Sequence, residues 1–174
     1  MFELLTEKDF DGFFEIMEYS FPENERRSRE NQLALFSDSR YKVAGIKDCG
    51  GNVCAFIAYW DEGGVTFLEH FAVAEDLRGS GLGGKFLDEF LKDRKKPVVL
   101  EVELPENEIA ARRIGFYQRH NFVLNDFTYF QPPLGEGKKG VPLKIMSLES
   151  PLGQKEAEFV RKTLLNIYNS TSNS

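Results

Sequence analysis

Apolar residues follow a strand-like pattern in the first half of this chain, after an opening helical region. Three stretches rich in β-branched and aromatic residues cover residues 41–48, 53–60 and 65–73. The turns between them carry Gly50-Gly51-Asn52 and Asp61-Glu62-Gly63-Gly64, which are typical of hairpins. The pattern therefore predicts an antiparallel meander.

A short strand over residues 1–5 and two helices are predicted ahead of this meander. Thr6 and Asp9 have a spacing close to that of a capping box, and apolar residues then recur with a helical period. This aromatic stripe is expected to be core rather than pocket, and it comprises Phe10, Phe13, Phe14 and Met17. A second helix is predicted over residues 25–36, with Asn24 as its N-cap.

Beyond residue 73 the pattern changes to alternating helices and strands. Helices are predicted over residues 82–92, 109–120 and 154–168, and strands over 98–102, 123–130 and 143–148. The tail, residues 169–174, is expected to fray. The loop 132–142, with Lys138 and Lys139, either borders an acceptor site or is a solvated hairpin. We expect a single domain, residues 1–150, to which the C-terminal helix and tail, residues 151–174, also belong.

Composition and charge narrow the function classes. The 174 residues are 41% hydrophobic and 29% charged, which is a normal globular balance. A formal net charge of -6 argues against nucleic-acid binding through a broad basic face and is compatible with a cationic amine substrate. The longest apolar stretch, residues 53–60, is too short to cross a bilayer, and no secretory signal pattern is present. We therefore expect a soluble cytoplasmic protein that has no membrane or nucleic-acid partner and that is a monomer or homodimer.

One glycine-rich segment satisfies or nearly satisfies three motifs, and the first is a dinucleotide fingerprint. Gly79, Gly81 and Gly84 fit G-x-G-x-x-G, and Glu101 follows at about the distance where a ribose-binding acid is needed. In that fold, however, the glycines follow a strand at once and open the domain. Here residues 74–78 intervene and a predicted meander precedes them.

The second motif is a phosphate-binding P-loop. Gly79, Gly84 and Lys85 fit G-x-x-x-x-G-K, but the next residue is Phe86, where a Ser or Thr should bind the magnesium ion. A phenyl ring supplies no oxygen ligand, so this match fails at a chemical requirement.

The third motif requires only Arg/Gln-x-x-Gly-x-Gly/Ala, which Arg78, Gly81 and Gly83 provide. With the preceding strand, this segment resembles the diphosphate-binding loop of the GNAT superfamily, the acetyl-CoA-dependent N-acetyltransferases. Glycines let successive backbone N–H groups point at the diphosphate, at the positive end of the following helix. Arg78 is expected to contact the anion or to brace the loop, the alternative being a surface cation near acidic neighbours.

A second signature supports the resemblance, which covers about residues 52–130. The run from Arg112 through Phe116 and Tyr117 to Phe122 resembles the family's helix ending in Tyr-x-x-x-Gly-Phe. Two positions depart from the pattern. Asn121 replaces glycine at a site that often needs a left-handed backbone, and Ala110 replaces an asparagine that contacts the pantetheine arm in many members.

The resemblance implies an α/β (α+β) fold with a mixed, mostly antiparallel sheet flanked by helices, and one extra C-terminal helix. It also implies transfer of an acetyl group from acetyl-CoA, as co-substrate, to a primary amine of a small molecule or peptide, by direct attack in a ternary complex. No metal is implied. Residues expected to contact the cofactor are Phe71, Ala72, Val73, Arg78, Gly79, Ser80, Gly81, Leu82, Gly83 and Gly84.

Two residues are predicted to be catalytic. By resemblance the Tyr117 hydroxyl faces the thioester sulfur, and a phenol suits protonation of a departing thiolate; the alternative is a tyrosine packed at the helix end. Glu69 is the candidate base, directly or through water. Alternation places it beside Phe67, Phe71 and Val73, so desolvation is expected to raise its pKa. The alternative for Glu69 is a carboxylate paired with a basic neighbour.

Several rival assignments stay open at this stage. Glu101 and Glu103 are the other candidate bases, whereas His70 and His120 are expected to be structural, His70 on the sheet face opposite Glu69. A non-catalytic acyl-CoA sensor and a nicotinamide-dependent oxidoreductase are the rival functions. The resemblance also places the oxyanion on a backbone N–H of the fourth strand, with the pantetheine paired to residues 71–73 like an added strand.

Overall fold

The computed structural model describes residues 1–92, 94–134, 137 and 139–171. Its strands are β1 Glu3–Leu4, β2 Tyr41–Lys47, β3 Val53–Glu62, β4 Val65–Val73, β5 Val98–Glu103, β6 Phe122–Gln131 and β7 Val141–Leu148. Its α-helices are α1 Phe10–Ser20, α2 Arg29–Ala34, α3 Leu82–Leu91, α4 Glu108–Arg119 and α5 Gln154–Thr171.

The strands form a seven-stranded sheet in the order β1-β2-β3-β4-β5-β7-β6. The pairings of β1 with β2, of β2 with β3, of β5 with β7 and of β6 with β7 are antiparallel. The predicted class is confirmed: a mixed α/β fold with a mostly antiparallel sheet, helices and an additional C-terminal helix. The chain forms two compact units, Met1–Asp61 with Leu68–Lys95, and Glu62–Phe67 with Lys96–Ser174.

The core of the first unit lies between α1 and strands β2 and β3. Residues 55–60 of β3 are all buried, as expected for a strand covered on both faces. The aromatic stripe of α1 is also buried, which confirms that it belongs to the core. Its Phe13 ring meets the Phe56 ring edge-on at a centroid distance of 4.6 Å.

The second unit is built from the start of β4 together with β5, β6, β7, α4 and α5. Helix α5 buries one face, formed by Ala157, Val160, Thr163, Leu164, Ile167, Tyr168 and Thr171. Asn125 of β6 joins the segment just before this helix to the sheet, because its side chain donates to the Ile145 carbonyl and accepts from the Leu152 N–H. The assignment of residues 1–150 and 151–174 to one domain stays a prediction.

Most predicted elements are confirmed to within a few residues, and the capping box at Thr6 and Asp9 is present. The second helix is an exception. It begins at Arg29 rather than near residue 25, and its N-cap is Ser28, whose hydroxyl accepts from the Asn31 N–H, not Asn24. Ser and Asn cap helices about equally well, so propensity does not distinguish the two starts.

Two further predictions concern the C-terminal tail and the loop 132–142. Residues 169–171 do not fray but complete α5, where Thr171 donates hydrogen bonds to the Ile167 and Tyr168 carbonyls. Residues 172–174 lie outside the described residues. In the loop 132–142, Lys139 is exposed, and Lys138 lies outside the described residues.

Candidate functional site

The end of β4, the following loop and the first turn of α3 bring together most of the residues predicted to contact the cofactor. After Val73 the chain makes a 3-10 turn, Glu75–Leu77, and then enters α3 at Leu82. The Phe71 ring contacts the Phe86 ring of α3 at a centroid distance of 6.0 Å. This contact fixes the start of α3 against β4. Phe86 is therefore a core residue at the position where a P-loop needs a magnesium ligand.

Glycine is required in the loop for two different reasons. Gly79 and Gly81 have φ values of 78° and 82°, in the left-handed region that other residues rarely adopt, and a Cβ at either would meet open space. Gly83 is helical, but a Cβ there would lie 3.2 Å from the Val73 Cγ2 atom. The loop therefore combines an open surface above Gly79 and Gly81 with close packing below Gly83.

Arg78 braces the entry to this loop. Its Nε donates to the Val73 carbonyl at 3.1 Å, and its Nη2 donates to the Ser20 hydroxyl at 3.0 Å. The guanidinium carbon also lies 5.5 Å from the centroid of the Tyr19 ring. Of the two expected roles of Arg78, bracing is the one visible in these contacts.

The start of α3 has the properties of an anion site. Ser80 ties the loop together, because its hydroxyl donates to the Leu77 carbonyl and accepts from the Leu82 N–H. The N–H groups of the first helical turn, which includes Gly83 and Gly84, have no partners within a helix. Together with the helix dipole, they favour a negative group at this end.

Glu69 lies two residues before Phe71 on β4, in a buried polar cluster. Its carboxylate accepts from Arg27 Nη2 at 2.9 Å and from Trp60 Nε1 at 3.1 Å. The side chains of Arg27 and Glu69 are only 2% and 1% exposed. Glu69 is thus the acceptor of a buried ion pair, which corresponds to the alternative of a carboxylate paired with a basic neighbour.

The expected rise in the pKa of Glu69 is wrong. Burial alone would raise this pKa, but the charge of Arg27 and the contact with His70 outweigh burial and hold the pKa well below its usual range. The decisive partners come from other segments of the chain, Arg27 before α2 and Trp60 on β3.

His70 also joins this cluster, so strict alternation does not describe this part of β4. Its Nδ1 lies 3.7 Å from Glu69 Oε2, and its Nε2 lies 2.8 Å from the Glu25 carbonyl oxygen. The Phe21 ring meets the imidazole edge-on at a centroid distance of 4.7 Å. His70 therefore ties the connection between α1 and α2 to β4, in keeping with the structural role expected for it.

Tyr117, the candidate acid, belongs to the second unit, near the end of α4. Its ring packs against Phe116 and Phe122, at centroid distances of 5.3 and 5.7 Å. Burial raises the pKa of Tyr117 to about 12, although the charge of Arg113 acts in the opposite direction. The phenol is therefore protonated at neutral pH. Asn121, after α4, has a φ of 64°, which confirms the left-handed backbone expected there.

The rival bases Glu101 and Glu103 also lie in the second unit, on β5. Glu101 Oε2 accepts from the Tyr168 hydroxyl at 2.7 Å and from Gln131 Nε2 at 2.9 Å. Glu103 accepts from Arg113 Nη1 at 3.0 Å and is about one third exposed. Both carboxylates are therefore engaged by neighbouring side chains.

Sequence reasoning missed the contacts that three residues make around the site, Arg27, Ser20 and Tyr19. Arg27 stands in a charged run, Glu23-Asn24-Glu25-Arg26-Arg27, which would ordinarily be a solvated segment. No local signal marks it as the buried partner of Glu69. Ser20 and Tyr19 end α1, and nothing in their spacing points to Arg78.

Two features are absent from the described part of the chain. None of its helices is long and apolar enough to cross a membrane. Within residues 1–92, 94–134, 137 and 139–171, no group of three His, Cys, Asp or Glu side chains is arranged to hold a metal ion.

Comparison with known proteins identifies the family. A family model described as "Acetyltransferase (GNAT) domain" matches residues 38–124. A solved structure from Bacteroides thetaiotaomicron, titled "Putative acetyltransferase from GNAT family", is 34% identical, with a TM-score of 0.86, over 96% of this chain and 97% of its own. "Putative acetyltransferase YjbC" from Bacillus subtilis is 33% identical over 113 residues, 64% of this chain and 56% of that relative. This chain thus spans little more than half of that curated relative.

More distant structures share the fold alone. A spermidine N-acetyltransferase, SpeG, from Vibrio cholerae is 11% identical with a TM-score of 0.65, over 85% of this chain and 94% of its own. The ribosomal-protein-S18-alanine N-acetyltransferase from Escherichia coli is 21% identical with a TM-score of 0.64, over 88% and 96%. The family match covers β2 to α4, including the loop at residues 78–84, which removes the dinucleotide and P-loop interpretations. This chain belongs to the GNAT acetyltransferase family.

Proposed function

We propose that this chain is an acetyl-CoA-dependent N-acetyltransferase that acetylates a primary amine of a small molecule or peptide, by direct attack in a ternary complex. One observation carries the proposal. At the end of β4, Gly79 and Gly81 adopt left-handed conformations with open space above them, directly before the N-terminus of α3. A diphosphate fits this arrangement because backbone N–H groups and the helix dipole attract it and no side chain fills the space.

The remaining cofactor contacts are proposed from the family resemblance. The pantetheine arm would run along residues 71–73 of β4 like an added strand, and a backbone N–H of β4 would hold the oxyanion. The Ala74 N–H donates to the Cys54 carbonyl at 2.8 Å, so the end of β4 is fixed to β3. A fixed strand end supports such pairing because its peptide groups are already oriented.

Acetyl-CoA supplies the acetyl group as a reactive thioester. The amine nitrogen bonds to the carbonyl carbon, the carbon–sulfur bond breaks, the nitrogen loses a proton and the sulfur gains one. We propose that the Tyr117 hydroxyl donates the proton that the departing sulfur gains. Two arguments support this role: the family resemblance of its position, and the protonation of the phenol at neutral pH.

The proton on the amine needs a separate acceptor, because an alkyl ammonium has a pKa of about 10.4. Glu69 stays the predicted base, but its ion pair with Arg27 makes it a poor proton acceptor. The water route that the sequence left open is therefore the better-supported of the two.

The proposed acceptor is an amine because distant structures with this fold are named for amine acetylation, of spermidine and of a ribosomal protein. The formal net charge of -6 is compatible with a cationic acceptor. No metal takes part in the proposed reaction.

The proposal is tested by acetyl-CoA turnover over polyamines, aminoglycosides, amino acids and lysine peptides. We expect release of CoA thiol with at least one amine class. Tyr117→Phe should lower kcat by about 10²–10⁴-fold, the usual contribution of a general acid, with unchanged affinity for CoA. Tyr59→Phe is the matched control, because Tyr59 is a buried tyrosine in β3 whose ring contacts Phe90. Equal losses in both variants would contradict the role of Tyr117.

A second candidate function is a non-catalytic acyl-CoA sensor. The observation that favours it is the buried ion pair, which engages the carboxylate predicted to be the base. Calorimetry separates the two functions. Binding of acetyl-CoA together with no turnover over the whole amine panel would support the sensor.

A further inference from the structure

The guanidinium of Arg78 joins the end of α1 to the end of β4. The two hydrogen bonds, to the Val73 carbonyl at 3.1 Å and to the Ser20 hydroxyl at 3.0 Å, use two of its five N–H donors. Its guanidinium carbon also lies 5.5 Å from the Tyr19 ring centroid, within the range of a cation–π contact. We call Tyr19, Ser20 and Arg78 the clasp.

The clasp acts where the loop is intrinsically least constrained. Gly79 and Gly81 directly follow Arg78, and glycine loses more conformational freedom on ordering than any other residue. The backbone hydrogen bonds inside the loop are long, at 3.3 Å from the Arg78 N–H to the Glu75 carbonyl and 3.4 Å from the Ser80 N–H to the Leu77 carbonyl. A side chain that fixes Arg78 therefore contributes to holding the loop in one conformation.

A second set of contacts fixes the other side of the clasp. Ser20 is the last residue of α1, and Phe21 directly after it packs edge-on against His70 of β4 at 4.7 Å. Exposed arginine side chains ordinarily move among many rotamers, so a partner that is itself packed gives the guanidinium a defined position. The end of α1 is such a partner.

We propose that Ser20 and Tyr19 are positioning residues for the diphosphate loop, acting through Arg78 to preorganise it for coenzyme A. This inference rests on the proposed function, because it assumes that the loop holds the cofactor. It assigns the motif arginine a mainly bracing role and places two determinants of cofactor affinity at the end of α1. Preorganisation strengthens binding because less conformational freedom is lost when the ligand arrives.

The test is calorimetry with coenzyme A on the whole chain, combined with steady-state kinetics. Ser20→Ala should weaken CoA binding about 3–10-fold, the range expected for the net contribution of one exposed hydrogen bond. Tyr19→Leu should weaken it about 2–5-fold through the lost cation–π contact. KM for acetyl-CoA should rise in both variants while kcat at saturation stays unchanged. Ser20→Thr, which keeps the hydroxyl, should restore the affinity.

The matched control is Ser170→Ala, because the Ser170 hydroxyl also makes a hydrogen bond near the C-terminal end of a helix, to the Ile167 carbonyl of α5. Ser170→Ala should change neither the affinity for CoA nor KM for acetyl-CoA. A double-mutant cycle decides whether the effect passes through Arg78. In an Arg78→Ala background, Ser20→Ala should have no further effect on CoA affinity.

The outcomes separate this inference from the function beneath it. If the original chain binds CoA but Ser20→Ala binds equally well, or if the losses in Ser20→Ala and Arg78→Ala simply multiply, only the clasp is overturned. If the original chain gives no heat with CoA, the proposed function fails and the inference fails with it. Thermal unfolding of each variant shows whether a loss of affinity arises without a loss of folding.

Discussion

Glu69 in β4 and the loop that follows the end of β4 lie only a few residues apart, but their polar groups have opposite surroundings. At Glu69 the strand carries a buried carboxylate whose partners, Arg27 and Trp60, surround it. At Val73 the strand leads into a loop where Gly79 and Gly81 border open space. The first part is closed and its charges are paired, whereas the second exposes backbone groups that a ligand can use.

The difference teaches that a charged residue near a site is not thereby a reactive one. Glu69 has the residue type, strand position and apolar neighbours of a general base, yet Arg27 holds its pKa well below the usual range despite burial. The loop contains only one charged side chain, Arg78, between residues 77 and 84, yet it has the features of a binding site. These features of the loop lie in its backbone geometry rather than in charged side chains.

The largest expected effect comes from removing one partner of the buried ion pair in the closed part. Arg27→Met should lower the free energy of unfolding by about 3–5 kcal/mol, because it leaves the Glu69 carboxylate buried without its cation. Urea unfolding at about pH 7 measures this change. Adding Glu69→Leu should restore part of the stability, since two apolar groups replace the ion pair while the buried Trp60 Nε1–H loses its acceptor.

The pH dependence of the same variant has a definite sign. In the original chain the pKa of Glu69 is lowered on folding, so the pair's contribution is present above the usual carboxyl pKa and is lost only as the pH falls towards the folded value. In Arg27→Met the contacts of Glu69 with His70 and Trp60 stay, but the charge of Arg27, the largest influence that opposes burial, is gone, so the pKa of Glu69 should be higher than in the original chain. Protonation then relieves the penalty, so the destabilisation should be smaller at about pH 5 than at about pH 7.

An exposed pair provides the control for this prediction. Arg112 and Glu108 are 82% and 91% exposed, with their charged atoms 3.9 Å apart, and Arg112→Ala should leave stability unchanged within error. A pH-independent loss in Arg27→Met would contradict the assignment of the effect to an unpaired carboxylate.

The second prediction concerns the open part. Gly81→Ala should weaken CoA binding about 5–30-fold, because a left-handed φ costs a residue with a Cβ about 1–2 kcal/mol and a shifted loop loses its anion geometry. Gly81→Asn should lose less, since asparagine tolerates this conformation, as Asn121 does in this chain at φ 64°.

Gly51 supplies a control with the same strain elsewhere. It has a φ of 86°, also with open space around a Cβ, in the turn between β2 and β3. Gly51→Ala should reduce stability by a comparable amount and leave CoA affinity intact. Equal affinities in Gly81→Ala and the original chain would mean that the open loop is not the diphosphate site.

The open part could be predicted from the sequence more fully than the closed one. Alternation and flanking turns gave β4 as residues 65–73, and glycine spacing gave the start of α3 at Leu82, both as observed. These signals are local. The Arg27–Glu69 pair joins residues 42 positions apart, and no period within one element encodes such a contact.

The same limit explains the errors around α2. Its start was predicted from Asn24 as the N-cap, whereas Ser28, a residue type that caps helices equally well, is the observed N-cap. The connection before it is fixed by tertiary contacts of Arg27 and by the hydrogen bond between His70 and the Glu25 carbonyl. Propensity could not reveal those contacts. The bracing contacts of Arg78 were anticipated as an alternative, but the partners at the end of α1 were not.

The smallest expected effect tests where the open part ends. Gly83 is helical, so alanine there causes no φ strain and should maintain or slightly raise stability, by up to about 1 kcal/mol. Its Cβ, however, would lie 3.2 Å from Val73 Cγ2, so the Val73 side chain at the end of β4 must move by a few tenths of an ångström. Because residues 71–73 are proposed to pair with the pantetheine, Gly83→Ala should weaken CoA binding about 2–5-fold through this change at Val73. Gly12→Ala is the matched control: Gly12 is a helical glycine whose Cβ would lie 3.4 Å from Val53 Cγ2, where no adjustment is needed.

Calorimetry with coenzyme A and urea unfolding on both variants should separate affinity from stability. A Gly83→Ala variant with unchanged CoA affinity would show that the cofactor does not depend on the packing between α3 and the end of β4, and would confine the binding surface to Gly79 and Gly81.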